Sequence, residues 1–246
     1  MTRDNKPVVY RSRTTEQTFK EIYNRLDAGD PFFYVRNGDG ELGTIQGAKH
    51  RQYQDPPQEL RDLLKEALLI DHPKYLIGMN DIHEKESGMA KGMFWDPTHQ
   101  NIVRSGLRAV GVKPGKVFEN AIALHYYYCF KRKELFNLLD LIKPKKCMYV
   151  GGQCAEESSS YFGGYEHRVQ IPLKEAFYQI DNWFPKVESG LKKCEVIISA
   201  SGWCANVIAL ALWKGGWEGT YLDLGSLVDA LIGVKDRKWI KLAQQS

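Results

Sequence analysis

The sequence predicts an α/β fold: a Rossmann-like, mainly parallel sheet with helices on both faces. Three observations carry that expectation. Short β-rich runs alternate with stretches of helical periodicity along most of the chain. Several of those runs end in glycine or small-residue turns, as in YVGG and ISASG, just before the next helix. A length of 246 residues with 43% hydrophobic and 26% charged content suits one large α/β domain. A single domain over 1–246 is expected, with 1–13 a loose N-terminal arm.

The elements follow in order. A helix is expected over 15–26, closed by DAGDP. The run FFYVR at 32–36 is β-rich, and Asn37, Gly38, Asp39 and Gly40 form a turn after it. Residues 57–70 repeat apolar side chains at Leu60, Leu63, Leu64, Ala67 and Leu68, one face of a helix. YLIGM is the next strand, and 81–112 reads as helices broken by loops. The middle, FENAIALHYYYCFKRKELFNLL, is aromatic and then basic. Beyond it KCMYVGG is a strand into a glycine turn, AEESSSYF a helix, HRVQIPL a strand and 175–191 a helix. CEVIISASG is a strand into a small-residue turn, 205–214 a helix, TYLDLG a strand and 226–232 the last helix. Open parallel sheets bind ligands at the carboxyl ends of their strands, and every turn singled out below lies at such an end.

Composition narrows the function classes. Five cysteines, an odd number without a CxxC pair, point to reduced thiols and away from a disulfide framework or a structural zinc site. A net charge of +4 is compatible with a phosphate-bearing ligand or a polyanion. No apolar run approaches the length of a membrane span, and the N-terminus lacks the apolar core of a signal peptide, so a cytoplasmic protein is expected. The aromatic content of 12% serves cores and stacking surfaces, and suggests a homodimer through an aromatic-rich face.

Five constellations carry candidate chemistry. In the first, RNGDGE, an extended turn would point Asp39 and Glu41 to one side, as hard oxygen ligands for Mn²⁺ or Mg²⁺. Gly38 and Gly40 would admit a bulky anion, and Arg36 could hold a phosphate or pair with an acid; the same residues also make an ordinary acidic surface turn. In the second, the small-residue turn with Ser201 and Gly202 could present free N–H groups to a phosphate, and the turn at Gly151 and Gly152 is similar. Both equally describe tight strand–helix connections. The third, MNDIHEKE, places Asn80, Asp81, His83 and Glu84 after a strand, as sugar contacts, a base, or a capped helix start. The fourth has Asp223 near a strand end, with Ser226 and Asp229 following; Asp223 is a site candidate or a helix cap. The fifth, HYYYCFKRKEL, offers Tyr127, Lys131 and Arg132 as an acceptor surface of stacking and phosphate attraction, or as a half-buried helix with a basic end.

Taken together these residues resemble the GT-D fold glycosyltransferases, a family first catalogued as a domain of unknown function. Its members open with a strand and an Arg–aromatic–Gly–Asp–Gly–Glu motif; this chain has RNGDGE, with Asn37 in the aromatic position. The similarity continues through YVGG, QIPLKEAFYQIDNWF and VIISASGWCANVIALALWKGGWEGTYLDLGSLVD, in the family's order and over about four-fifths of the chain. The resemblance implies a metal-dependent transferase that uses a nucleotide diphosphate sugar, expected to be a UDP-sugar. Asp39 and Glu41 would hold the cation against the diphosphate, and Gly151 and Gly202 would line the nucleotide site. Lys174 would neutralise phosphate charge. Where the family tends to have His after Asp–x–Gly, this chain has Ser226, and the stretch 80–128 matches poorly.

The expected reaction moves a sugar to an acceptor hydroxyl, on a glycan or glycoprotein or on a hydroxymethylated pyrimidine in phage-type DNA. Asp223, Asp229 and Glu84 are the candidate bases. The basic segment around Lys131 and KHRQYQ, just after the acidic pair, are the reasons for considering DNA. The competing class is a non-catalytic nucleotide-sugar or nucleic-acid binding module. An NAD-type oxidoreductase is disfavoured, because no strand leads into G-x-G-x-x-G.

Overall fold

The computed structural model describes residues 10–48, 55–80, 97–152, 155–234 and 238–243. Eight strands form one sheet: β1 (Arg11–Ser12), β2 (Phe33–Asn37), β3 (Tyr75–Met79), β4 (Val117–Asn120), β5 (Cys147–Gly151), β6 (His167–Gln170), β7 (Val196–Ala200) and β8 (Thr220–Asp223). Their spatial order is β1-β4-β3-β2-β8-β7-β5-β6, and each neighbouring pair runs parallel. Eleven α-helices are described: α1 (Thr15–Ala28), α2 (Asp39–Ile45), α3 (Gln58–Leu69), α4 (Pro97–Ala109), α5 (Ala123–Phe130), α6 (Arg132–Asp140), α7 (Ala155–Ser158), α8 (Ile180–Gly190), α9 (Cys204–Lys214), α10 (Ser226–Leu231) and α11 (Lys238–Ala243).

The alternation of side chains along each strand feeds two cores, one on each face. Phe33, Val35, Ile77, Ile197 and Tyr221 pack with Leu42 of α2, Leu60 and Leu64 of α3 and Ile208 of α9. Tyr34, Leu76, Ile198 and Leu222 face the other way, against Phe19 and Ile22 of α1, Leu135 of α6 and Leu227 of α10. The helices have local causes as well. Thr14 caps α1 in a reciprocal pair with Gln17, and Gly29, at φ 67°, ends that helix in the left-handed conformation. Strands β2–β4 and β5–β8 build the two halves of the sheet, which meet where β2 pairs with β8. That junction of two halves is where an open α/β sheet forms its ligand crevice.

The structure bears out the α/β class and departs from the sequence reading at particular places. Arg11–Ser12 is not a loose arm but an edge strand, in register with Val117–Phe118 of β4. β4 itself, VFEN, went unseen because two of its four residues are polar. The NGDG segment does not stay a turn: the chain becomes helical directly at Asp39. The helix expected from 175 starts at Ile180 after a short 3₁₀ turn, because Glu175 takes a left-handed φ of 51° that breaks the helical path. AEESSSYF divides into α7 and a 3₁₀ turn, Ser159–Phe162. Of the stretch 81–112, α4 is a helix, and 81–96 lies outside the described residues. Among the described residues no helix is long and apolar enough to cross a membrane.

Candidate active site

The site is built at the carboxyl ends of β2 and β8. After Arg36 the chain passes through the buried Asn37 and Gly38 and turns into α2. Gly38 is extended, a conformation open to any residue; a Cβ there would lie 3.1 Å from Asn80 Nδ2, close enough that the amide would have to give by a few tenths of an ångström. The Gly38 N–H donates to Glu41 Oε2 at 2.8 Å, so the glutamate folds back over the start of its own helix. This corrects the expectation that Asp39 and Glu41 project from an extended turn to one side. Two positions apart on a helix, they leave its axis in widely different directions. Asp39 is exposed at the first helical position, whereas Glu41 is half-buried. Both stand in the first turn, where the helix terminus favours negative charge.

Asp223, 6% exposed, ends β8 beside this turn. Its Oδ2 accepts the Arg36 N–H at 3.2 Å, and it also accepts the Gly225 N–H. The Arg36 guanidinium donates through Nε to the Ala121 carbonyl at 2.8 Å and through Nη1 to the Leu224 carbonyl at 3.0 Å. Arg36 therefore clamps the segments that follow β4 and β8, with two of its donors committed to main chain. Gly225 sits at φ 49°, and a Cβ there would run into Arg36 Nη1, so glycine is required on both counts.

Burial dominates the electrostatics. It pushes Asp223 up to about 6, with Arg36 and the two main-chain donors pulling it back. It pushes Glu41 up to about 7, its main-chain hydrogen bonds opposing and the charge of Asp223 adding to the rise. Two carboxyls thus titrate above their ordinary range at this turn, with Arg36 the positive charge that opposes the rise.

The other expected site residues separate into groups. Gly151 is needed for packing: a Cβ would meet the Tyr149 hydroxyl and approach Ala200. At Gly152 it would meet Leu173. Ser201 donates to the Val150 carbonyl at 2.9 Å and lies 2.8 Å from Ser199 Oγ, a brace between β5 and β7. Gly202 turns into α9 at φ 58°, and Lys174 is exposed on the loop after β6. Gly40 lies in the first turn of α2. Asn80 is in place, its N–H donating to the Asn37 carbonyl at 3.0 Å. Asp81, His83, Glu84, Cys154 and Lys49 to Gln52 lie outside the described residues.

Tyr127 is corrected by its burial. At 4% exposure, its ring stacks on Phe19 at 3.6 Å between centroids, and it is not presented to an acceptor. Lys131 and Arg132 lie over the rings of Tyr127 and Tyr128 at 5.2 and 4.4 Å. Ser226, in the position where a His was expected, accepts from Trp239 Nε1 at 3.2 Å and lies 3.4 Å from Nε2 of the buried His125, which comes from α5.

Sequence reading missed Asn206 and Asn120. Asn206 Nδ2 donates to the Arg36 carbonyl at 3.2 Å from within α9. Its signal was a lone amide in an otherwise apolar helix, CANVIALAL. Asn120 closes β4, the strand that was not seen.

Hard oxygen donors such as Asp39 and Glu41 suit Mg²⁺ or Mn²⁺, which commonly take one or two carboxylates and complete their shell with phosphate and water. Among the described residues no group of three or more His, Cys, Asp or Glu side chains forms a ready metal cage.

Comparison with known proteins gives the family and the fold. Residues 34–230 match the family model described as Glycosyltransferase GT-D fold. The structure described as a new glycosyltransferase (DUF1792) from Streptococcus sanguinis superposes with a TM-score of 0.72 at 19% identity, covering 95% of this chain and 85% of that one. A second, described as the highly conserved domain of unknown function 1792 with a distinct glycosyltransferase fold, gives a TM-score of 0.65 at 18% identity over 90% of this chain and 80% of that one. No curated protein matches the chain by sequence. With its fold, the order of its motifs and the family match over most of its length in agreement, the chain belongs to the GT-D fold family of glycosyltransferases.

Proposed function

We propose that this glycosyltransferase takes its sugar from a nucleotide diphosphate donor, a UDP-sugar, and moves it to a hydroxyl of a glycan or glycoprotein. The observation that carries the reading is the acidic group where the halves of the sheet meet: exposed Asp39, with Glu41 and Asp223, whose pKa values burial raises to about 7 and about 6. Carboxylates at such a strand end suit a divalent cation, and a diphosphate brings one with it. Asp39 would hold Mn²⁺ or Mg²⁺, joined by Glu41 once its side chain turns from the Gly38 N–H toward the same point; when bound, the cation would neutralise charge on the departing diphosphate. Arg36 fixes the geometry by clamping the chain after β4 and β8, and Gly225 keeps Asp223 against it. Asp223 accepts the acceptor's proton, a role that its elevated pKa fits near pH 7.

The burial of Tyr127 weighs toward the glycan acceptor. With that ring inside the core, Tyr127 offers no stacking surface to DNA, while Tyr126 and Phe130 of α5 stay partly exposed. The test is UDP release across a panel of UDP-sugars, with and without Mn²⁺, with oligosaccharides, glycopeptides and hydroxymethylated DNA as acceptors. Mn²⁺-dependent release stimulated by a glycan is the expected result. Stimulation by hydroxymethylated DNA that collapses with added salt would reverse the acceptor assignment. Donor binding without turnover on any acceptor would favour the non-catalytic module.

A further inference from the structure

The amino ends of the strands, opposite the acidic turn, carry a trough that the proposed reaction does not use. Its aromatic half is a cavity of about 480 Å³, lined by Pro31 and Phe33 at the start of β2, Lys74 before β3, Trp213 of α9, and Trp217 and Glu218 in the loop before β8. A second cavity of about 350 Å³ shares Pro31, Trp217 and Glu218 with it and continues past Arg25 and Lys145 to Glu195. The two therefore meet at Trp217. Each volume falls within the roughly 300–1,000 Å³ of small-ligand sites. Along β2, Asn37 stands about 13 Å from Phe33, so the trough and the carboxylates of Asp39, Glu41 and Asp223 lie at opposite ends of the sheet.

The two indoles are held in place by the core beneath them. Trp213 stands edge-on to Phe33 at 5.4 Å and to Tyr75 at 5.3 Å between centroids, and Trp217 stands edge-on to Phe33 at 5.9 Å. Those contacts fix the ring orientations. Both indoles nevertheless stay partly exposed where they border the cavity. A Cβ at Gly219 would run into the Trp217 ring, so the chain needs glycine there to seat that indole.

The rim is polar and mixed in sign. Lys74 and Glu218 are exposed beside the aromatic half, and Lys145 shares the other half with the exposed Glu195. Arg25 is already committed, donating to Glu21, Asp30 and the Pro73 carbonyl. A polyanion needs a positive field, and here two carboxylates balance two ammonium groups. An apolar peptide segment would leave the charged rim unmatched. A neutral saccharide suits both: its C–H faces lie flat on indole rings, and its hydroxyls donate to carboxylates and accept from ammonium groups. We propose that this trough is a non-catalytic site for a neutral oligosaccharide, held at Trp213 and Trp217 and steadied by Lys74 and Glu218. It tethers a glycan away from the transfer site, so that repeated encounters with the same glycan become intramolecular.

The test is binding of fluorescently labelled wild type, in chelator and without donor, to an array of neutral, sialylated and sulfated oligosaccharides. Calorimetric titration of the strongest neutral ligand into variants follows. Neither donor nor cation is present, so the outcome is independent of the transfer reading. A neutral oligosaccharide should bind wild type, and its affinity should fall ~10-fold or more in Trp217→Ala and ~3-fold or more in Glu218→Ala. Asp39→Ala, at the other end of the sheet, should bind it within about twofold of wild type. Binding of no oligosaccharide, or of anionic ones alone, would overturn the proposal. So would an affinity that Trp217→Ala leaves unchanged, or that Asp39→Ala lowers as much. Should Trp217→Ala fail to fold, Glu218→Ala at its exposed position carries the same comparison.

Discussion

Replacing Glu41 with glutamine should stabilise the metal-free protein at pH 8 while removing its activity. Burial raises the Glu41 carboxyl from its ordinary 4.5 to about 7. The fold therefore favours the protonated form, and stability present below pH 4.5 is lost as pH rises through 7. At ~1.4 kcal/mol per tenfold change, the ionised side chain costs the fold about 3 kcal/mol at pH 8 and ~1 kcal/mol at pH 5. Solvent at the half-buried side chain screens part of this, so Glu41→Gln should gain about 1–3 kcal/mol at pH 8, a rise of ~3–10 °C in melting temperature. Glutamine can still accept the Gly38 N–H through its carbonyl oxygen, so the start of α2 keeps its bond. The assay is thermal unfolding in chelator-treated buffer at pH 5 and pH 8. The reasoning is refuted if Glu41→Gln melts no higher than wild type at pH 8, or if its advantage is as large at pH 5.

Other outcomes follow from single contacts. Gly163 holds a φ of 76° against the Lys143 carbonyl, so Gly163→Ala should cost at least ~2 kcal/mol in urea unfolding. Gly225→Ala should displace the Arg36 guanidinium and lower turnover by ~10-fold or more, with the circular dichroism spectrum retained. The buried Tyr34 hydroxyl donates to the Asn120 carbonyl at 2.8 Å, and Tyr34→Phe should lower unfolding free energy by ~1–2 kcal/mol. Asp223→Asn removes the proposed proton acceptor and should reduce turnover at least ~100-fold, with donor affinity by calorimetry little changed.

The fold was legible where a strand is apolar on both sides. FFYVR, YLIGM, CMYVG and VIISA read as buried parallel strands, and all lie in the sheet. Arg11–Ser12 and VFEN were not legible, because an edge strand of two residues and a short polar strand carry no periodic signal. The acidic motif follows β2 as the sequence suggests, but its geometry differs from an extended turn. NGDG is good turn chemistry, and nothing in those four residues shows that Asp39 begins a helix packed between α3 and α4. The sequence offers Arg36 a phosphate or an acid as partner, whereas its guanidinium bonds the carbonyls of Ala121 and Leu224, which come from 85 and 188 residues away.

The central claim is that the turn from β2 into α2 is the catalytic centre of a metal-dependent transferase. The most direct test is the steady-state rate of UDP release from the best UDP-sugar donor with Mn²⁺, in wild type and in Asp39→Ala. Asp39 is exposed and makes little contribution to packing, so its removal should leave the melting temperature within ~2 °C of wild type. Wild type should turn over in a Mn²⁺-dependent way, and a folded Asp39→Ala protein should lose nearly all of that turnover, ~100-fold or more. Unimpaired turnover in Asp39→Ala, or a wild-type rate indifferent to Mn²⁺ and to chelator, would contradict it.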